Sequence, residues 1–218
     1  MEFNYTAQDV IDQNRTKMEY INSIKDWLSM CNDKLVPPVL QEQMIVQFLL
    51  SCDNDVEFTK TTISAFYRCK KAAPELHDDR DMRRPDIRTA LNTMHMATLP
   101  VRTDDNCAIH FFKLNDTNYH NYDVSVIMKL SFMLVDVTLK NNPPDGLMVF
   151  LDMKGIKIHP SDMPNERLYE LVPKKCLPKE YGGDLPSEKE LHEITLGQLN
   201  DRQAFWEIEE MIRKELGK

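Results

Sequence analysis

Apolar residues recur every three or four positions through the first third of the chain, which is the spacing of amphipathic helices. Thr6 and Asp9 have the spacing of an N-terminal capping box, and Asp55 stands where a helix N-cap is expected. The recurring apolar positions are Ile21, Ile24, Trp27 and Leu28 in one segment and Met44, Ile45, Phe48 and Leu49 in the next. The first 76 residues therefore predict an all-helical bundle.

The middle of the chain changes to a mixture of strands and a helix. Cys107–Leu114 is rich in Ile and Phe and predicts the first strand of a sheet. Residues 122–140 have helical spacing and are apolar on two sides, which is typical of a helix deep in a core. Leu147–Leu151 is a continuous apolar run too short for a helix, so it predicts a strand buried on both faces. This part indicates an α/β class.

The charged stretch His77–Pro85 separates the two parts and reads as an exposed connector. Ser187–Glu190 has capping-box spacing after Pro186 and opens a helical tail. The last helix is predicted to pack on the protein through an apolar face made of Phe205, Trp206, Ile208, Met211 and Ile212. The predicted division is 1–76, 77–186 and 187–218.

Composition limits the classes of partner. The 218 residues carry a net charge of -8, which gives the chain as a whole no electrostatic footprint for nucleic acid. A hydrophobic fraction of 42% supports a sizeable core, while 28% charged residues and no long uncharged apolar run exclude a membrane-spanning helix. The opening residues lack the regions of a signal peptide, and an odd set of five cysteines suits reduced thiols. These features predict a cytoplasmic protein.

The residues Pro178-Lys-Glu-Tyr-Gly-Gly183, with the upstream strand segment 145–155, resemble the CRAL-TRIO lipid-binding family in its tocopherol-transfer and retinaldehyde-binding branches. The resemblance implies a helical N-terminal module and an α/β domain that encloses a small hydrophobic ligand or lipid. The expected fold class is thus α/β, with an all-helical N-terminal bundle followed by a truncated CRAL-TRIO domain that has a small mixed sheet.

The resemblance includes a gap. The chain runs directly from Gly155 into residues 156–160, which look like the end of the family's last strand, so two helices and a strand of the family pattern are absent. Their loss would open apolar surface on the 122–140 helix and the 147–151 strand, at roughly 25 cal/mol per Å² left wet. Three alternatives follow from this exposed surface. The strands pair again, the body stays partly molten, or the chain undergoes dimerisation over the exposed apolar surface.

The resemblance and the helical and strand periodicities select the same candidate ligand-binding residues. These are Ser125, Met128, Phe132, Leu147 and Leu151. The alternative is that they are ordinary core. A local positive cluster offers either solvated surface or a transient contact with an anionic, phosphoinositide-like membrane lipid. Its members are Lys154, Lys157, Lys174, Lys175 and Lys179.

No nucleotide-binding loop, zinc-protease motif or nucleophile elbow is present, and His110, His120 and His159 lack a neighbouring activated nucleophile. We therefore expect a non-enzyme with no cofactor and no metal. The leading hypothesis is intracellular binding and transfer of a small hydrophobic ligand or lipid. The alternative is a shortened isoform with a broken pocket that acts as an interaction module, and an esterase is a third reading.

Overall fold

The computed structural model describes residues 3–152, 154 and 165–216, without the side chains of 165–167. The chain divides into two units, each made of separate segments. Unit 1 contains Met1–Arg80, Leu139–Pro143 and Ala204–Lys218, and unit 2 contains Asp81–Thr138 and Pro144–Gln203. The three-part division expected from the sequence stays a prediction.

Helices form the start of unit 1, and their first residues follow the predicted caps. Thr6 and Asp9 form a complete capping box, and the Asp55 side chain accepts a hydrogen bond from the Phe58 backbone N–H, so both predictions are confirmed. The helices are α1 (Ala7–Asp12), α2 (Met18–Met30), α3 (Glu42–Ser51), α4 (Val56–Ala72) and α5 (Pro74–His77).

The predicted apolar positions of α2 and α3 make the core of these helices. Ile21, Ile24 and Leu28 are buried together with Ile45 and Leu49. Phe48 meets Phe66 of α4 edge to face, with ring centroids 5.2 Å apart. Burying a side chain of this size stabilises the folded state by about 1.5–3 kcal/mol. The bundle expected for the first part of the chain is therefore present.

Unit 2 is built on a three-stranded mixed sheet in the order β1-β2-β3. Strand β2 pairs antiparallel with β1 and parallel with β3. The elements of this part are α6 (Pro85–Thr93), β1 (Met94–Thr98), β2 (Cys107–Leu114), α7 (Val124–Leu139), β3 (Gly146–Asp152), α8 (Asn165–Leu171) and α9 (Glu188–Asp201). The α/β class with a small mixed sheet is confirmed.

Two predictions about the strands are wrong. Cys107–Leu114 is a strand, but it is not the first strand of the sheet, since β1 precedes it in the chain. The sequence did not indicate β1, because Met94 follows α6 directly without a Gly or Pro to mark the change. Strand β3 is not buried on both faces, since exposure alternates along it. Leu147, Val149 and Leu151 are exposed, and Met148 and Phe150 pack against the core of unit 2. A continuous apolar run thus did not indicate two covered faces.

The helical tail begins as predicted, with a complete capping box between Ser187 and Glu190 at the start of α9. The last helix is α10 (Gln203–Glu215). Its predicted packing face is wrong apart from Trp206, because Ile208, Met211 and Ile212 are exposed while Glu209 and Arg213 are buried. No helix within the described ranges is long and apolar enough to cross a bilayer.

Candidate functional site

The five predicted ligand-binding residues all lie in unit 2, on α7 and β3. Ser125, Met128, Leu147 and Leu151 are exposed, and Phe132 is half-buried. They are therefore neither ordinary core nor the walls of a closed cavity. The assignment of a ligand to them stays a prediction.

The exposed side chains of β3 point to the side of the sheet on which α7 packs against β2. Ladder partners point to the same side of a sheet, and Val149 of β3 is the partner of His110 of β2. His110 Nε2 lies 2.8 Å from the Thr138 hydroxyl of α7, so α7 covers this side at β2. Leu147 and Leu151 continue the same side along β3, where the structure leaves them exposed. On β3 this side of the sheet is apolar and exposed at Leu147, Val149 and Leu151.

The Pro178–Gly183 signature is a structural turn packed under β3. The Tyr181 ring lies 5.1 Å from the Phe150 ring, and its hydroxyl donates to Asp152 at 2.5 Å. Burial raises the pKa of Tyr181, and the Asp152 carboxylate raises it further. Gly182 has a φ of 70°, and a Cβ on Gly183 would stand 2.0 Å from the Leu177 carbonyl oxygen. The backbone therefore approaches too closely at Gly183 to admit a side chain.

The lysine cluster is largely occupied by protein contacts. Lys175 pairs with Asp104 at 2.5 Å, and Lys179 with Glu190 at 3.3 Å. The Lys174 ammonium lies 4.5 Å from the centre of the Tyr169 ring. Lys157 lies outside the described residues. These contacts favour the solvated-surface reading over an anionic-lipid contact.

The histidines considered as bases have no catalytic setting in the described structure. Burial lowers the pKa of His110 to about 4, so it is neutral at pH 7 and bonded to Thr138. His120 sits in a short 3-10 turn with its ring beside Tyr119, and His159 lies outside the described residues. Among the residues that the structure describes, no group of three or more His, Cys, Asp or Glu side chains is arranged to hold a metal ion.

A second surface lies on unit 1, in the connection between α2 and α3. Met30 is 72% exposed and Val39 is 79% exposed, so both apolar side chains stand in solvent on either side of Pro37-Pro38. Between them Asp33 pairs with Arg68 of α4 at 2.8 Å and caps the turn by accepting the Leu35 N–H. Burial of Val36 and Leu40 fixes the remainder of this connection. We call Met30, Val39 and the connection between them the α2–α3 surface.

Sequence reasoning missed a buried ion cluster in unit 1. Glu209 of α10 accepts from Lys70 of α4 at 2.8 Å and from Arg80 at 2.5 Å, and Arg213 lies 3.3 Å from the same carboxylate. Arg213 also pairs with Asp78 at 2.7 Å. Lys70 and Arg80 lie 139 and 129 positions before Glu209 in the chain, so residue spacing in the sequence did not indicate these pairs. The predicted exposed connector is wrong at Arg80, which is buried.

The comparison with protein families concerns the helices of unit 1. Residues 13–87 match the family model of a Pinta-like UBA domain. No curated protein matches the chain. The CRAL-TRIO resemblance is therefore wrong, because the family model that matches the N-terminal helices is a UBA domain. The same match overturns the expected lipid transfer and phosphoinositide binding. It also overturns the small hydrophobic ligand, the lipid and the membrane as expected partners. The chain is therefore similar to a Pinta-like UBA domain over residues 13–87, which is about a third of its length.

Proposed function

We propose that the chain is a non-enzymatic interaction module whose helices within 13–87 bind ubiquitin or ubiquitin-conjugated proteins. The match of these residues to a UBA, or ubiquitin-associated, domain is the observation that carries the proposal. It replaces the ligand-carrier hypothesis with the alternative of an interaction module. We place this activity in the cytosol, which the five free cysteines support.

The α2–α3 surface is the candidate contact site on these helices. Met30 and Val39 are exposed apolar side chains that a protein partner would bury. The Asp33–Arg68 ion pair and the buried Val36 hold the turn, so little conformational entropy would be lost on binding. Met30 and Val39 would be the two anchors.

The size of this surface predicts a weak and transient complex. Burying a Met or Val side chain fully gives about 1.5–3 kcal/mol, and part of that gain is offset by the cost of association. The two anchors together offer at most about 6 kcal/mol before that cost, so we expect a dissociation constant of about 0.1 mM or weaker. Placing a carboxylate at either anchor should weaken binding about tenfold or more, because a charge would be desolvated without a partner.

The test is titration of ¹⁵N-labelled monoubiquitin with the full chain, followed by NMR chemical-shift changes. Met30→Asp and Val39→Asp should each raise the dissociation constant at least about tenfold. Phe58→Asp is the matched control, because Phe58 is an exposed apolar residue on the same unit in the first turn of α4. It lies ten residues before Arg68, about 15 Å along the helix.

Phe58→Asp should leave binding within about twofold of the unchanged chain, and an added Asp in a first helical turn is itself compatible with the helix dipole. Absence of any shift with the unchanged chain would refute ubiquitin binding. Equal losses from Phe58→Asp and Val39→Asp would refute the α2–α3 surface as the contact.

A further inference from the structure

The last turns of α4 are held on two sides, by α10 and by the connection between α2 and α3. Lys70 donates to Glu209 of α10 at 2.8 Å, and both side chains are at most 9% exposed. Arg68 donates twice to the Asp33 carboxylate, at 3.2 Å and 2.8 Å. Residues two positions apart do not share a face of a helix, so Lys70 and Arg68 reach different neighbours. The end of α4 therefore joins α10 to the α2–α3 surface.

Asp33 shapes the turn of the α2–α3 surface. Its carboxylate accepts the Leu35 N–H at 3.1 Å, in the turn that lies between Met30 and Val39. The Leu35 N–H and then the Arg68 guanidinium hold the pKa of Asp33 below its usual value, so the ionised form is favoured. A displacement of Arg68 would therefore loosen the turn that carries both apolar anchors.

Helix α10 fixes the end of α4 from the other side. Lys70 lies in the last turn of α4, and helix ends fray unless other groups hold them. Glu209 supplies the carboxylate beside the buried Lys70 ammonium and also pairs with Arg80 at 2.5 Å, while Arg80 lies over the Trp206 ring at 5.9 Å. The residues that match a UBA domain end at 87, so α10 lies outside that match but belongs to the same unit.

We propose that Glu209 is a positioning residue for the α2–α3 surface, acting through Lys70 and Arg68 at the end of α4. This inference rests on the proposed function. The docked α10 keeps Asp33 and its turn in the form that binds ubiquitin, and release of α10 lowers the affinity without any contact between α10 and ubiquitin. The affinity falls in proportion to the fraction of chains in which the turn is competent. The binding unit is thus the helices within 13–87 together with α10.

The first test is a double-mutant cycle on the full chain, with affinity for ¹⁵N-labelled monoubiquitin as the readout. Glu209→Gln should raise the dissociation constant about three- to tenfold, as residues that act on a site at a distance do. In the Arg68→Gln background the same change should raise it less than about twofold, because the link from α4 to Asp33 is already gone. A residue with only a general role in stability would weaken binding equally in both backgrounds, and that result overturns the proposal.

Two controls on α10 separate positioning from direct contact. Glu210→Gln changes the next residue, which pairs with Lys214, and Met211→Asp changes a side chain that is 60% exposed. Both should leave the dissociation constant within about twofold, as surface substitutions usually do. Equal losses from Met211→Asp and Glu209→Gln would place ubiquitin on α10 itself and overturn the positioning role.

The second test uses the unchanged chain, so it holds even where Glu209→Gln unfolds unit 1. By reciprocity, ubiquitin stabilises the docked α10 by the factor with which docking improves the affinity. Saturating monoubiquitin should therefore slow hydrogen exchange of the α10 amides about three- to tenfold, and Arg68→Gln should remove this slowing. Ubiquitin binding with unchanged exchange in α10 overturns the inference and leaves the proposed function standing. Absence of ubiquitin binding overturns both.

Discussion

Replacement of Glu209 by glutamine should strongly destabilise unit 1. The Glu209 carboxylate lies within 2.8 Å of Lys70, 2.5 Å of Arg80 and 3.3 Å of Arg213. All four side chains are at most 9% exposed. Burial works to raise the pKa of Glu209, but the three cations outweigh it and hold the pKa below its usual value. The ionised carboxylate is therefore the form on which this cluster depends.

The expected cost is about 3–5 kcal/mol in free energy of unfolding, which is typical when one partner of a buried ion pair is removed. Glutamine keeps the shape of the side chain but supplies no charge, so the buried Lys70 and Arg80 would each lose an ion pair. Arg213 would keep Asp78. For a unit of about 100 residues, a loss of 3 kcal/mol lowers the melting temperature by roughly 12–24 °C.

The measurement is urea unfolding followed by far-ultraviolet circular dichroism and by tryptophan fluorescence, since Trp206 is buried beside Arg80. Glu210→Gln is the matched control, because the neighbouring Glu210 pairs with Lys214, which is half exposed, and glutamine can still accept the hydrogen bond from the Asp79 N–H. Exposed ion pairs contribute about 0–1 kcal/mol, so this control should change stability by less than about 1 kcal/mol. Equal effects of Glu209→Gln and Glu210→Gln would refute the view that the cluster is held by its central carboxylate.

Three further predictions follow from unit 2. Gly183→Ala should cost about 1–3 kcal/mol in free energy of unfolding, because its Cβ would meet the Leu177 carbonyl oxygen at 2.0 Å. Gly197→Ala in α9 is the control, since its Cβ meets open space, and it should stabilise the protein by about 0.5–1 kcal/mol. Thermal unfolding compares the two variants, and a stabilising Gly183→Ala would contradict the close approach. Ser187→Ala removes the capping box of α9 and should cost about 0.5–2 kcal/mol in urea unfolding, and no loss would show that the cap does not contribute. The pKa of His110 is lowered to about 4 against about 6.5 in an unfolded chain, so the stability due to its neutral form is complete above pH 6.5 and is lost as pH falls towards 4. Between pH 7.5 and 5.0 this loss is about 2 kcal/mol in unfolding free energy, and His110→Asn should reduce the pH dependence by that amount; an unchanged pH profile in His110→Asn would show that another group causes it.

The sequence was informative wherever the physical cause is local. Each N-cap bonds to a residue three positions later, so the local sequence was sufficient to predict where α1, α4 and α9 begin. The capping residues are Thr6, Asp55 and Ser187. The Gly182-Gly183 turn is local in the same way, because its conformation depends on the absence of a side chain. The helical bundle and the strands β2 and β3 followed from such signals together with hydrophobic periodicity, whereas the small mixed sheet was implied only by the resemblance.

The sequence was misleading where burial is decided by distant parts of the chain. An apolar run such as Leu147–Leu151 predicts two covered faces, yet what covers β3 is set by other elements, and one face is left open. Glu209 reads as surface by residue type, but it is buried with Lys70 and Arg80 from distant parts of the chain and with Arg213 of its own helix. The same effect reversed the faces of α10. The family assignment was wrong for a related reason, since two short segments, Pro178–Gly183 and 145–155, were taken to represent the whole chain.

The position of Glu209 in the chain has a consequence for synthesis. Glu209 pairs with Arg80 but follows it by 129 positions, so the segment that contains Arg80 leaves the ribosome long before this carboxylate exists. At about 5–20 residues per second, the delay is roughly 6–26 s. During that interval the ion pairs of Lys70 and Arg80 with Glu209 cannot form. Completion of unit 1 is thereby tied to the translation of α10.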